Sequence, residues 1–266
     1  MGDAGMREFL GSFLSNDSAF GRVMTRLGVI IGANLMFIIF SFPVVTAGAA
    51  YTGLYHVMLK TLRGDGQINP FKQFWIGFKS NFKQATIAWI AALLLVVFGY
   101  FDIRICAVAG GFVGSLRYAI YAMGIVLVII MIYLFPTMAA FEDKLPGLVR
   151  SSLYFAIRRP HKLLLNLFFH VFPMYLTYTD LHMQPLYAFL WATFGFGAVC
   201  MLTSSLLLPD FVPYLPLVDG CGDFIYSADR KLLMPGDEDK IENDGSEGGA
   251  DMSEKQTLKE MKKLGM

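Results

Sequence analysis

Residues Ala119–Ala140 read AIYAMGIVLVIIMIYLFPTMAA, an apolar run without a charged side chain. A helix needs about 20 such residues to cross a bilayer core of about 30 Å. Inside lipid every backbone amide needs a partner within the protein, so such a run forms a helix. The sequence therefore predicts an all-α, polytopic membrane protein. Four more mostly apolar runs lack acidic residues: Leu27–Pro43, Ala85–Phe101, Leu163–Thr177 and Pro185–Leu208.

Composition supports this fold class and excludes others. Of the 266 residues 55% are hydrophobic and 16% charged, whereas a soluble domain carries about 25% charged residues. The net charge of +1 predicts no nucleic-acid partner. The cysteines are too scattered for a metal site and too few for a disulfide framework, so we expect no metal and no cofactor. They are Cys106, Cys200 and Cys221.

The chain changes character near its end. Residues 1–234 are predicted to form one helical membrane domain. Residues 235–266 are rich in Asp and Glu alternating with Gly and Ser. Such low hydrophobicity cannot offset the conformational entropy of the chain, so this segment is predicted to be a disordered acidic tail in the cytoplasm.

The number of spans depends on Thr46–Leu62, which is less apolar and near the lower length limit for crossing. This segment either crosses, giving six spans, or is re-entrant, giving five. Lys and Arg near span ends favour the cytoplasm, and the basic loops 63–84 and 142–162 lie inside in both arrangements. Six spans also place the N-terminal arginines inside, so we predict six spans with both termini cytoplasmic. These arginines are Arg7, Arg22 and Arg26.

A Pro/Gly break separates the first two predicted spans at Phe42–Gly48, and Pro43 and Gly48 are its candidate residues. A break at membrane depth lines a cavity or is buried in protein. It could contribute to a substrate site, but we favour a tight turn near the outer surface.

Polar residues within the apolar runs are the remaining candidates for a site. Asn34 and Asn166 are interpreted as ties between helices. His170 lies near the middle of the fifth predicted span. A membrane-buried ionisable group is a functional hypothesis by default, yet a neutral histidine that bonds a neighbouring helix is favoured here.

Two basic, aromatic segments each lead into a span and are predicted to be interfacial helices. They are Phe71–Gln84 and Leu148–Lys162. The first carries an aromatic stripe at helical spacing, which is a candidate partner-contact surface. Its members are Phe71, Phe74, Trp75, Phe78 and Phe82.

The first third of the chain carries a combined pattern of short motifs. The pattern comprises Phe20-Gly21-Arg22, Asn34, the run from Ser41 to Ala49, Leu54-Tyr55, Phe74-Trp75, and Phe78 to Gln84. It resembles the YesL-like family of bacterial membrane proteins, a domain of unknown function. The resemblance implies a multi-pass protein of the bacterial plasma membrane. Members often lie beside genes for carbohydrate uptake, which implies an accessory role there. The acidic tail departs from the compact family pattern.

No nucleophile, base or metal constellation is recognisable in the sequence, so we expect no enzymatic activity and no catalytic residues. The first hypothesis is an accessory or regulatory subunit that binds a membrane transport complex in the lipid bilayer. The alternative is a small stand-alone solute transporter, which possible pseudo-repeats and broken spans would suit. The near-absence of charged residues within the spans argues against ion coupling.

Overall fold

The computed structural model describes residues 19–64 and 68–215, and every regular element within these ranges is helical. The all-α prediction is confirmed. The predicted tail 235–266 and Arg7 lie outside the described residues.

Eight α-helices follow one another along the described chain: α1 Ala19–Ser41, α2 Ala47–Arg63, α3 Pro70–Ala109, α4 Gly111–Ala140, α5 Leu145–Arg158, α6 Pro160–Thr179, α7 Gln184–Leu190 and α8 Phe196–Phe211. Short 3-10 turns lie at Val44–Thr46, Leu181–Met183 and Val212–Tyr214. A π-helical turn, Trp191–Gly195, joins α7 to α8.

Local sequence signals set several helix ends. Asn69 caps α3, because its side-chain oxygen accepts hydrogen bonds from the backbone N–H groups of Phe71 (3.1 Å) and Lys72 (3.2 Å). Pro70 occupies the first turn, where a missing N–H costs nothing. Pro160 plays the same part in α6, and it keeps the preceding Arg159 out of the helical conformation, which separates α5 from α6.

Four helical segments are long and apolar enough to cross a membrane, so the polytopic prediction is confirmed while the count of six spans is not. The two other predicted spans are helical but weaker by these criteria. α2 has only 17 residues, and α6 contains Asn166, His170 and other polar groups that lower its mean hydropathy. The four segments are Gly21–Ser41, Pro70–Ala109, Gly111–Ala140 and Gln184–Tyr214.

The predicted interfacial helices are arranged differently in the structure. Phe71–Gln84 is not a separate helix, because it forms the first part of α3, which runs for 40 residues and about 60 Å without a break. The segment Leu148–Lys162 is divided between the end of α5 and the start of α6.

α2 lies at the centre of the helix bundle, in contact with α1, α3, α4 and α8. Eleven of its 17 residues are buried. Its Gly48 lies against Trp89 of α3, whereas its His56 lies against Gly77, so α2 and α3 run antiparallel. The turn Val44–Thr46 lets α2 fold straight back from α1.

Beyond Trp89, α3 and the first part of α4 extend from the bundle as a two-helix hairpin. We call residues 90–130 the arm. Most of its side chains are exposed, and its helices reverse at Gly110 and Gly111, whose positive φ angles of 64° and 56° suit glycine. From Trp89 to Ala109 the arm is about 30 Å long.

The opposite end of the bundle is basic. The last turns of α2, α5 and α8 meet there in one apolar cluster through Leu59, Phe155 and Phe211. Asp210 of α8 is nearly buried and forms ion pairs with Arg159 at 2.7 Å and Lys162 at 2.8 Å. We call this region the basic end.

Candidate functional site

A cavity of about 530 Å³ opens between the α1–α2 turn and helices α3, α4, α6 and α8. Of the candidates from the sequence, Gly48 and His170 both line it. Its lining residues are Phe37, Ile38, Ser41, Phe42, Ala47, Gly48, Tyr51, Trp89, Met131, Ile132, Phe135, His170, Met174 and Phe196.

The α1–α2 turn forms one edge of the cavity and is held by several hydrogen bonds. The backbone N–H of Thr46 donates to the Pro43 carbonyl at 2.9 Å, and the Thr46 hydroxyl donates to the Phe40 carbonyl at 2.7 Å. The indole N–H of Trp89 donates to the Val44 carbonyl at 2.7 Å. These hydrogen bonds make the turn tight, and the turn presents the side chain of Phe42, which is 90% exposed, to the outside.

Gly48 is required by the close approach of α2 to α3. A Cβ atom at this position would lie 2.5 Å from the Cβ of Trp89 and 2.9 Å from the carbonyl oxygen of Ala85. These distances are shorter than van der Waals contact allows. The glycine therefore lets Trp89 form the cavity wall directly beside the α2 backbone.

His170 is the polar centre of the site and links α6 to α2. Its Nδ1 lies 2.8 Å from the carbonyl oxygen of Asn166, which can only accept, so Nδ1 carries the hydrogen. In the neutral ring Nε2 then accepts, and the Tyr51 hydroxyl donates to it at 2.9 Å. The Tyr55 hydroxyl lies slightly farther away, at 3.3 Å.

Two further sets of polar contacts lie between the cavity and the basic end, along one face of α6. The hydroxyl of Thr203 donates to the Asn166 side-chain oxygen at 3.1 Å, and both residues are fully buried. One turn further, Lys162 donates to Asp210 at 2.8 Å. Because Lys162, Asn166 and His170 are four residues apart, they share a face of α6, and this face packs against α8 and α2.

Asn34 is fully buried, and it joins α1 to the π-helical turn between α7 and α8. Its side-chain NH₂ donates to the carbonyls of Trp191 at 3.1 Å and Ala192 at 2.9 Å. Its side-chain oxygen accepts from the Gly197 N–H at 2.9 Å. A π-turn interrupts the regular helical ladder, and Asn34 supplies partners at that point. In the structure Asn34 therefore ties two helical segments together, which agrees with the interpretation from the sequence. It does not belong to the cavity lining.

The aromatic stripe on α3 is divided between the core and the surface. Phe74 and Phe78 are buried, whereas Phe71, Trp75 and Phe82 are 52%, 48% and 40% exposed. At about 100° per residue the five side chains span an arc of about 100°, with the two buried residues at one edge. That edge packs against the bundle, which leaves only the other three side chains available to a partner.

The sequence analysis missed two residues, one that lines the cavity and one at the basic end. Tyr51 contacts a histidine 119 positions away in the chain, so no local signal could have identified it. Asp210 lies two residues after the end of the last apolar run and could have been found as a lone acidic residue at a span end. Among the described residues no group of three or more His, Cys, Asp or Glu side chains could hold a metal ion.

Residues 30–103 match the model of a family described as "Protein of unknown function, DUF624". Over these residues the chain is similar to the YesL-like DUF624 family, in agreement with the resemblance found in the sequence. The matched region contains Asn34, the α1–α2 turn, all of α2 and most of α3. A similar protein is the "Uncharacterized protein YteU" of Bacillus subtilis (strain 168), which is 26% identical over 153 residues, 54% of this chain and 68% of the relative. No solved structure matches the chain.

Proposed function

We propose that this protein is an accessory or regulatory subunit of a membrane transport complex for carbohydrate uptake, with no catalytic activity of its own. The observation that carries the proposal is the exposed half of the aromatic stripe, Phe71, Trp75 and Phe82, which we call the docking face. The resemblance to the YesL-like family supplies the link to carbohydrate uptake.

The part of α3 that carries the docking face is packed against α1 through its buried aromatic rings. The ring centroid of Phe40 in α1 lies 5.8 Å from that of Phe74 and 5.0 Å from that of Phe78. These contacts hold α3 against α1 and so fix the direction of the exposed rings. Rings that are already ordered lose little entropy on binding, which favours aromatic anchors at interfaces.

The charges around the docking face indicate the chemistry of its partner. Lys72, Lys79 and Lys83 are all exposed on the same part of α3. A complementary partner surface is acidic with an apolar centre, because opposite charges favour encounter while buried aromatic groups supply affinity. We therefore assign the partner as the cytoplasmic face of a transport subunit.

The same proposal sets the orientation of the chain in a bacterial plasma membrane. The basic end and the docking face are cytoplasmic, with both chain termini on that side. The tip of the arm, at Gly110, is then external. Lipid headgroups are the competing occupant of the docking face, since basic aromatic helices also bind membrane surfaces.

The test compares exposed with buried members of the stripe in the full-length protein. The double variant Phe71→Ala/Trp75→Ala should lose a copurifying transport subunit in mild detergent, and its loss of thermal stability should be smaller than that of Phe78→Ala, because Trp75 is only half-buried against Phe40 and Phe78. The matched variant Phe78→Ala removes a buried ring and should lower thermal stability, by about 3 kcal/mol or more in unfolding free energy. Full partner recovery with the double variant would remove this face as the partner site.

A stand-alone solute transporter is the second candidate, and a separate observation favours it. His170 lines the cavity, and two further polar residues, Asn166 and Lys162, follow it along the same face of α6 toward Asp210. Such a path is typical of a route for a solute or a proton. Uptake by the purified protein alone in liposomes, lost in His170→Ala, would support this candidate over the accessory role.

A further inference from the structure

The cavity is built almost entirely from apolar and aromatic side chains. Its polar lining side chains are Ser41, Tyr51 and His170, apart from Trp89, whose N–H is bonded to Val44. A volume of about 530 Å³ lies within the usual range of about 300–1,000 Å³ for small-molecule sites, which combine apolar walls with few polar groups.

The surroundings of the cavity mouth indicate where a ligand would come from. Ile39 and Val171, which adjoin the lining residues Ile38 and His170 in sequence, are apolar and exposed. Phe42, on the rim itself, is the most exposed of the lining side chains. Ile39, Phe42 and Val171 belong to apolar runs predicted to cross the bilayer, which favours a mouth that opens toward hydrocarbon.

The charge of the lining restricts the head group of the ligand. None of the described residues that line the cavity is Asp, Glu, Lys or Arg. A carboxylate or phosphate there would lose its hydration without gaining a counter-charge, which costs several kcal/mol. The ligand is therefore neutral.

Hydrogen-bond directions at the polar wall add a further restriction. The Tyr51 hydroxyl hydrogen is committed to Nε2 of His170, as the position of the histidine hydrogen requires. Tyr51 Oη also hydrogen-bonds the Tyr55 hydroxyl and the thiol of Cys200, which is a weak donor, so a stronger donor can take one of its acceptor positions. A ligand that complements this wall brings a hydrogen-bond donor, and the simplest neutral donor on a hydrocarbon is a hydroxyl group.

We propose that the cavity binds the hydrocarbon chain of a neutral, hydroxyl-bearing amphiphile drawn from the bilayer, with the hydroxyl group against Tyr51. The chain lies along Phe37, Phe135 and Phe196. The proposal does not depend on the docking face, which lies elsewhere on α3.

Trp89 makes the site directly measurable, because it is one of only three tryptophans in the chain. Replacing Trp75 and Trp191 with Phe leaves Trp89 as the sole indole. The full-length protein with this change, in nanodiscs, is titrated with 11-bromoundecan-1-ol, whose bromine quenches indole fluorescence on contact. We expect saturable quenching that undecan-1-ol reverses by competition.

Two variants and one control separate binding in the cavity from contact through lipid. Ala47→Leu fills the cavity and should abolish the saturable component, whereas Ala119→Leu on the arm should leave it intact. Tyr51→Phe should weaken the alcohol about three- to tenfold while leaving 1-bromoundecane unchanged, the effect of losing one hydrogen bond. Thermal stability of each variant confirms that it is folded.

Three outcomes would overturn the proposal. Quenching that rises linearly with concentration, or is unaffected by Ala47→Leu, would show contact through the lipid alone. Equal affinity for ionised 11-bromoundecanoate would exclude the neutral head group. An unchanged preference for the alcohol in Tyr51→Phe would remove Tyr51 as the group that receives the hydroxyl.

Discussion

α2 and the arm differ both in composition and in burial, and the less apolar of the two is the more buried. α2 is rich in Gly, Ala, Thr and Tyr, and it is the most enclosed helix of the described bundle. The arm is rich in Leu, Val, Ile and Phe, yet most of its side chains are exposed. In this protein the hydropathy of a helix therefore reports contact with lipid and not a position in the core.

The physical reason is that lipid tails are as apolar as a leucine side chain. Burying a leucine among helices gains little over leaving it in lipid, so helix association depends on close packing and on hydrogen bonds. α2 supplies both, through Gly48 against α3 and through the hydroxyls of Tyr51 and Tyr55 toward His170. The arm meets only the requirement for solubility in hydrocarbon.

The largest expected effect is an all-or-none difference in thiol labelling from outside the cell. It compares the tip of the arm with the first part of α3, which we place on opposite sides of the membrane. In a background without native cysteines, Ser115→Cys should react with a membrane-impermeant thiol reagent on intact cells. Ser80→Cys should react only after permeabilisation, because it lies among the basic residues of α3. Labelling of Ser80→Cys on intact cells would reverse the proposed orientation.

Truncation of leucines should separate the two regions by their packing. Leu54 in α2 is fully buried, whereas Leu95 on the arm is 55% exposed. We expect Leu54→Ala to lower the free energy of unfolding by about 2–5 kcal/mol, since it leaves a cavity between packed helices. Leu95→Ala should cost less than about 1 kcal/mol. Thermal unfolding in detergent measures both, and equal losses would contradict the comparison.

Adding a methyl group, instead of removing side-chain atoms, should also distinguish the packed helix α2 from the exposed arm. Gly48→Ala forces a contact with Trp89 and should destabilise the protein by about 1–3 kcal/mol. Gly124 on the arm has no neighbour within 4 Å of an added Cβ. Gly124→Ala should therefore be neutral or stabilising by up to about 1 kcal/mol, through helix propensity. A tolerated Gly48→Ala would show that α2 and α3 pack less closely than described.

The smallest effect is expected for the polar tie between α1 and the π-turn. Asn34→Leu keeps the side-chain volume but removes three hydrogen bonds, and we expect a loss of about 1–2 kcal/mol. Asn81→Leu is the control, since the Asn81 side chain bonds only within α3, to Gly77 and Ser80. If both variants melted at the same temperature, Asn34 would not be a stabilising tie.

Much of the architecture followed from the sequence. The predicted spans are all helical, and the family resemblance was confirmed. The sequence could not predict which residues of the aromatic stripe are buried. Helical periodicity shows which residues share an arc of the helix surface, but not which edge of that arc packs against the bundle. Phe78 and Trp75 are three residues apart, yet one is buried and the other half-exposed.

The sequence by itself determined that the chain is helical and apolar enough for a bilayer, since backbone hydrogen bonding in lipid leaves few other choices. It also indicated Asn34, Pro43, Gly48 and His170 as unusual positions. Only the tertiary structure decided that Gly48 and His170 share a cavity and that Tyr51 completes its polar wall. Hydropathy records each helix's affinity for lipid, whereas a site between helices depends on contacts across more than a hundred residues, such as the one between Tyr51 and His170.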